Sequence, residues 1–231
     1  GVVRRTLVRP ELRDHFGETA PWLAMKEAVL WMVHPLQTES VTYTIQRVES
    51  MMGLFYLFTL YCFIRGVESA QPAKWHTAAV VACVAGMASK EVMVSAPLMV
   101  LIYDRTFFVS SFREALRRRH WLYDGLAATW LPLAYWVSSS ASRGGTVGFG
   151  GPVPWSEYAI IQCQAIVHYV RLSFWPHPLV FDYGIMEAPS LAAIALPAMF
   201  LLALATFTLV AIRRQAPVGC LGAWFGMILA P

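Results

Sequence analysis

Charge is scarce in this chain: Asp, Glu, Lys and Arg together make up 14% of its 231 residues, where a soluble domain of that length carries nearer a quarter. The shortage argues against an ordinary water-facing domain, and it is uneven. No charged residue falls in 50–64, 75–89, 125–142 or 188–212. Paired cysteine is lacking too. Cys62, Cys83, Cys163 and Cys220 each stand alone in an apolar segment, without the spacing of a zinc site or a disulfide framework, and read as small buried residues. The opening residues are basic and polar, without the short apolar core and small-residue site of a cleavable signal. No tetratricopeptide-like period or other internal repeat is visible. The net charge of +4 does not point to nucleic acid, because the basic residues flank hydrophobic runs, as they do on the cytoplasmic side of membrane proteins.

What is present is hydrophobic, at 57% of residues with a mean hydropathy of +0.51. A membrane-spanning helix needs roughly 20 apolar residues, and several windows reach or approach that length. The expectation is an all-α polytopic transmembrane bundle, a single domain over 1–231. Its spans fall at about 20–33, 50–64, 75–89, 91–103, 121–140, 188–212 and, cut short, 216–231. Gly1 in place of Met, and an apolar run up to Pro231, read as an internal fragment. Arg4, Arg5, Arg9 and Arg13 place the first end in the cytoplasm. The stretch 75–103 would be roughly 43 Å long as one helix, against a hydrocarbon core of about 30 Å. Basic flanks at both ends make it a hairpin turning at Ser89-Lys90-Glu91. The helix over 156–175 carries Glu157, Gln164, His168 and Arg171 on one face. It reads as re-entrant or interfacial, or else as a span with a polar stripe. The outer face then collects 36–49, 89–91, 142–155 and 176–187.

Three groups on that face could carry chemistry. The densest is His34-Pro-Leu-Gln-Thr-Glu39 through Arg47 and Glu49 to Ser50. If Glu39 onward is helical, Glu39, Tyr43, Gln46 and Ser50 share a face. Such a set can hold a divalent metal, act as a base or pair with phosphate; equally, it can be a solvated loop with a local Glu–Arg pair. Lys90-Glu91 is the second: a lysine at that level can grip the phosphate of a lipid-linked donor, or merely snorkel at a hairpin tip. The third, Trp175-Pro-His177-Pro-Leu-Val-Phe-Asp182-Tyr183, offers His177 and Asp182 inside what an aromatic belt already explains. Charges gathered at one face, without paired repeats, favour an outer-face site over the rival reading of a transporter or assembly factor.

Four segments carry a resemblance. The His34-Pro-Leu-Gln-Thr-Glu-Ser-Val run with Gln46-Arg47, Ser89-Lys-Glu91 leading to Tyr103-Asp104, Tyr169-Val-Arg-Leu through Trp175-Pro to Asp182-Tyr183, and Gly222-Ala-Trp-Phe to Pro231 resemble, in that order, the motifs of TMTC-type membrane glycosyltransferases and their bacterial tetratricopeptide-associated relatives. These are proteins of the GT-C fold, similar to dolichyl-phosphate-mannose protein mannosyltransferases. Lys26-Glu27 inside the first apolar segment departs from the family's apolar pattern. The resemblance implies transfer of a sugar, typically mannose in eukaryotic members, from a polyprenyl-phosphate carrier to a protein or glycan acceptor outside the cytoplasm. The membrane would be a bacterial inner membrane or the endoplasmic reticulum. It also implies a principal catalytic acid in a loop preceding this segment. Here that leaves Glu39 and Glu49 as supporting carboxylates and Arg47 and Lys90 as phosphate-binding cations. His34, Glu91, His177 and Asp182 are further candidates, and a divalent metal is an open expectation.

Overall fold

A computed structural model describes residues 1–43, 46–140, 155–180 and 191–229. Among them the secondary structure is helical throughout, with no strand. The chain opens with short helices α1 (Val2–Leu7) and α2 (Pro10–Phe16), followed by α3 (Ala20–Val33), the single turn α4 (Thr38–Thr42) and the long α5 (Arg47–Glu68). Next come α6 (Pro72–Ser89), α7 (Ala96–Phe107), α8 (Phe112–Arg118), α9 (His120–Ala128) and α10 (Trp130–Ser140). The remaining helices are α11 (Trp155–Phe174), α12 (Leu191–Arg213) and α13 (Pro217–Leu229).

Local chemistry explains most of these boundaries. Pro10, Pro72 and Pro217 stand at the first position of their helices, where the missing N–H costs nothing. The helix α5 carries Glu49 in its first turn and Arg65 in its last, the signs its dipole favours. The expected crossing at 121–140 is not one rod. Pro132 cannot donate to the Ala128 carbonyl and its ring crowds that turn, and the chain breaks at Thr129 between α9 and α10.

Among the described residues, two helices are each long and apolar enough to cross a bilayer: α5, with a mean hydropathy of 1.4, and the stretch Ile194–Arg213 of α12, at 2.3. A third candidate is the pair Glu91–Phe107 and Phe112–Arg118, bent by 106°. The core is built on the α5–α6 hairpin. Tyr56, Thr59, Leu60, Phe63 and Ile64 pack with Ala79, Cys83 and Met87, and α7 adds Met99, Val100 and Tyr103. Close approach depends on small residues. A side chain at Gly86 would run into Met93 at 2.7–2.9 Å, and one at Gly219 would meet the backbone of Ala211 and Ile212 at 2.6–2.7 Å. By contrast Leu196, Leu202 and Phe207 on α12 are more than half exposed. A helix apolar on its outward face suits hydrocarbon rather than water.

The hairpin gives the bundle two ends. The starts of α5 and α7 lie with the C-terminus of α6 at one end. At the other, Arg5 on α1 pairs with Glu68 at the close of α5, and Arg105 on α7 donates to the carbonyl of Ile212 at the close of α12 at 2.5 Å.

Candidate functional site

The end that holds Lys90 brings two of the sequence candidates, Lys90 and Glu49, together from separate elements. The helix α6 stops at Ser89, and Lys90 is extended (φ −155°, ψ 143°) before a 3-10 turn over Glu91–Ser95 leads into α7. The Lys90 N–H donates to the Gly86 carbonyl at 3.0 Å, and its own carbonyl accepts from the Met93 N–H at 3.2 Å. Glu49 sits in the first turn of α5. Because α5 and α6 are antiparallel, a carboxylate at one helix N-terminus meets an ammonium at the other's C-terminus, each at the pole that favours it. Lys90 Nζ and Glu49 Oε1 form an ion pair across 41 positions of sequence, with the side chains 35% and 33% exposed. Partial burial lowers the pKa of the Lys90 amine below its ordinary value, and the neighbouring Glu91 carboxylate opposes that shift. Glu91 itself is exposed, as is Arg47 at the start of α5.

The stretch from Glu39 is not one continuous helix. The turn α4 ends at Thr42 and α5 begins at Arg47, so Glu39, Tyr43, Gln46 and Ser50 do not share a single helical face. Thr38 and Thr42 bond local carbonyls at 2.7 and 2.6 Å, the side-chain competition that keeps such residues near helix ends. Ser50 ties the two pieces together by donating to the Ser40 carbonyl at 3.2 Å. Glu39 lies on α4, and its side chain falls outside the described residues.

His34 has both ring nitrogens engaged. The Leu36 N–H donates to Nδ1 at 3.3 Å, and Nε2 lies 3.1 Å from the carbonyl of Ser173. That combination fits a neutral ring with its proton on Nε2. His34 is therefore a strut that ties the loop after α3 to the end of α11, leaving neither nitrogen for a metal. His177 follows close by and is exposed, its N–H bonded to the Trp175 carbonyl at 2.8 Å. Asp182 lies outside the described residues. Among the described residues no group of three or more His, Cys, Asp or Glu comes together to hold a metal ion.

Beneath the ion pair is a layer that hydropathy alone did not reveal. Tyr56 and Ser95 share a hydrogen bond of 3.2 Å, Ser95 donates to the Val92 carbonyl at 2.9 Å, and the Trp130 indole donates to the Val94 carbonyl at 3.1 Å. Trp224 of α13 stacks on Tyr56 with ring centroids 5.7 Å apart. These contacts fix the 3-10 turn below Lys90. The available sequence signal was a set of polar and indole groups in otherwise apolar helices, which must find partners when buried.

Comparison with known proteins gives one family and no individual relative. No curated protein and no solved structure matches the chain. The model of the family described as dolichyl-phosphate-mannose-protein mannosyltransferase matches residues 12–137. That range takes in both the His34 run and the Lys90 turn, and stops before the Tyr169 and Gly222 segments. With more than half of its length under that match, the chain belongs to the dolichyl-phosphate-mannose-protein mannosyltransferase family, membrane glycosyltransferases that draw sugars from lipid-linked donors.

Proposed function

We propose that the whole protein moves a sugar from a polyprenyl-phosphate carrier to a protein hydroxyl, at the non-cytoplasmic face, and that this face is the Lys90 end of the bundle. The motif resemblance to TMTC-type enzymes supports this reading, and a multi-pass setting in a bacterial inner membrane or the endoplasmic reticulum goes with it. The observation that carries the reading is the Glu49–Lys90 pair, lying inside the segment that matches the family.

The chemistry sets the roles. The acceptor oxygen bonds to the anomeric carbon while the bond from that carbon to the phosphate oxygen breaks, and the carrier phosphate departs with the electron pair. A base must take the acceptor proton, and cations must receive the charge that builds on the phosphate. Lys90 supplies a compact ammonium for that charge, and Arg47 a second cation from the start of α5. Glu49 holds the lysine in place while no phosphate is bound. Glu39 would serve the acceptor as a supporting carboxylate, and His177, Asp182 and Glu91 are the further candidates.

The test is transfer by the full-length protein, reconstituted in vesicles with polyprenyl-phosphate mannose and an acceptor peptide rich in Ser and Thr. Mannose should appear on hydroxyl side chains. The Glu39→Gln variant should insert and express normally yet transfer at least about ten-fold more slowly, within the range for loss of one acid–base group. Absence of transfer by the intact protein would contradict the activity; an unchanged rate in the variant would remove Glu39 from the site.

A further inference from the structure

The basic end of the bundle holds a second feature, which sugar transfer does not use. A cavity of about 710 Å³ opens there between the close of α5, the start of α6 and the junction of α8 with α9. Its polar wall includes Ser69, His76, Arg118 and Arg119, and no carboxylate is among the lining residues. Its apolar wall includes Val80 and Trp121.

The two guanidinium groups differ. Arg119 is 14% exposed and spends its charge on Asp104, with Nη1 at 2.7 and 2.8 Å from the two carboxylate oxygens. Arg118 keeps a side chain 60% exposed and pairs with the carboxylate one turn before it, Glu114, at 2.7 Å. Such a surface pair is weak and readily exchanged. Nearby, His76 Nε2 is buried without a hydrogen-bond partner among the described residues.

The surroundings are those of a bilayer boundary. The helix α8 turns sharply away from α7, the two segments meeting at 106°. It displays Phe112 and Leu116, 39% and 43% exposed, beside Arg113 and Arg117. Trp121, at the cavity mouth, is 81% exposed, as an interfacial indole is. An anion-seeking wall joined to an apolar wall at that depth matches an amphiphile with a phosphate head and acyl tail.

We infer that this cavity binds the headgroup of an anionic glycerophospholipid from the leaflet at the basic end, with Arg118 on the phosphate and Trp121 against the acyl chain. The inference rests on the membrane setting alone, and stands or falls apart from the transfer reaction at the other end.

The test uses the full-length protein in neutral detergent micelles. It is titrated with phosphatidylglycerol, phosphatidylcholine or inorganic phosphate, with bound lipid counted by native mass spectrometry and phosphate binding measured by calorimetry. Phosphatidylglycerol should be retained and phosphatidylcholine lost. Arg118→Gln should weaken retention about ten-fold, the loss expected for one charge-assisted contact. Ala73→Phe fills the cavity from an exposed wall position and should do the same without removing charge. Arg113→Gln removes an equal charge outside the lining and should change retention by about two-fold or less, as screening predicts. Equal losses from the two arginine variants would replace the cavity with diffuse attraction. An Ala73→Phe variant that binds normally would take the ligand out of the cavity. Phosphate that displaces the lipid with comparable affinity would make this a free-anion site and overturn the lipid assignment.

Discussion

The two ends of the bundle use their polar residues in opposite ways. At the basic end, Asp104 is fully buried and accepts from both Arg119 and the Tyr123 hydroxyl, the latter at 2.7 Å. Arg9 donates to the Phe107 carbonyl at 2.8 Å and lies over the Phe108 ring at 3.8 Å. Gln215 reaches three carbonyls, those of Arg105, Val109 and Ser110. The Asp104–Arg119 pair, Arg9 and Gln215 each stitch one helix to another. At the Lys90 end the charged pair is about a third exposed. Groups whose bonds are all spent on the protein hold it together, while groups left half in water remain available to a ligand.

That contrast breaks most visibly at Asp104. Removing the carboxylate in Asp104→Ala leaves Arg119 mostly buried without its counter-charge, at a cost of about 3–5 kcal/mol. Thermal unfolding in detergent should show a large drop in midpoint, while the surviving folded fraction keeps its donor affinity. A midpoint close to that of the parent would mean that the basic end is not the structural one.

Lys90 should behave in the reverse manner, with near-normal stability and impaired binding. Lys90→Gln is expected to raise the KM for the lipid-linked donor about ten-fold or more, the loss of one charge-assisted contact. Lys90→Arg should restore part of it, since the charge is kept but its shape changes. The pH profile gives an independent reading. Phosphate binding needs the ammonium form, so affinity is lost as pH rises through a lysine pKa that burial has lowered. Arginine stays charged throughout the working range, so the alkaline loss should shift upward in the arginine variant. Identical profiles in the two proteins would leave Lys90 as an anchor only.

Glu49 should give the smallest effect. A pair this exposed contributes roughly 0–1 kcal/mol, so Glu49→Gln should barely move the unfolding midpoint. Freed from its carboxylate, Lys90 should meet donor phosphate more readily, and the donor KM should fall by a few-fold at most. A large loss of stability would instead make this end resemble the basic one.

The helices were legible because charge-free runs such as 50–64 and 188–212 leave few alternatives, and the all-α membrane fold follows from them. Lys90 stood out as an ionisable residue between apolar stretches. Its partner did not: Glu49 lies 41 positions away, and their meeting depends on the register of the α5–α6 hairpin, which is set by core packing between Leu60, Phe63, Ala79 and Cys83. The break after Thr42 was hidden because Glu39 through Ser50 fits a helical face on spacing alone, while Thr38 and Thr42 turn their hydroxyls onto the backbone. His34 looked like a free candidate ligand, since nothing local announces that the end of α11 returns to meet it. Asp104 was visible within the Tyr103-Asp104 pair, but its burial against Arg119 and Tyr123 is a tertiary fact.

We propose that these two ends face opposite sides of a membrane, with Lys90 on the non-cytoplasmic side. It is tested most directly by replacing the four native cysteines and introducing a single cysteine at Lys90 or at Arg117, then labelling intact right-side-out vesicles with a reagent that does not cross bilayers. Position 90 should be labelled from outside, and position 117 only after the vesicles are opened. Labelling of both positions from the same side would contradict it.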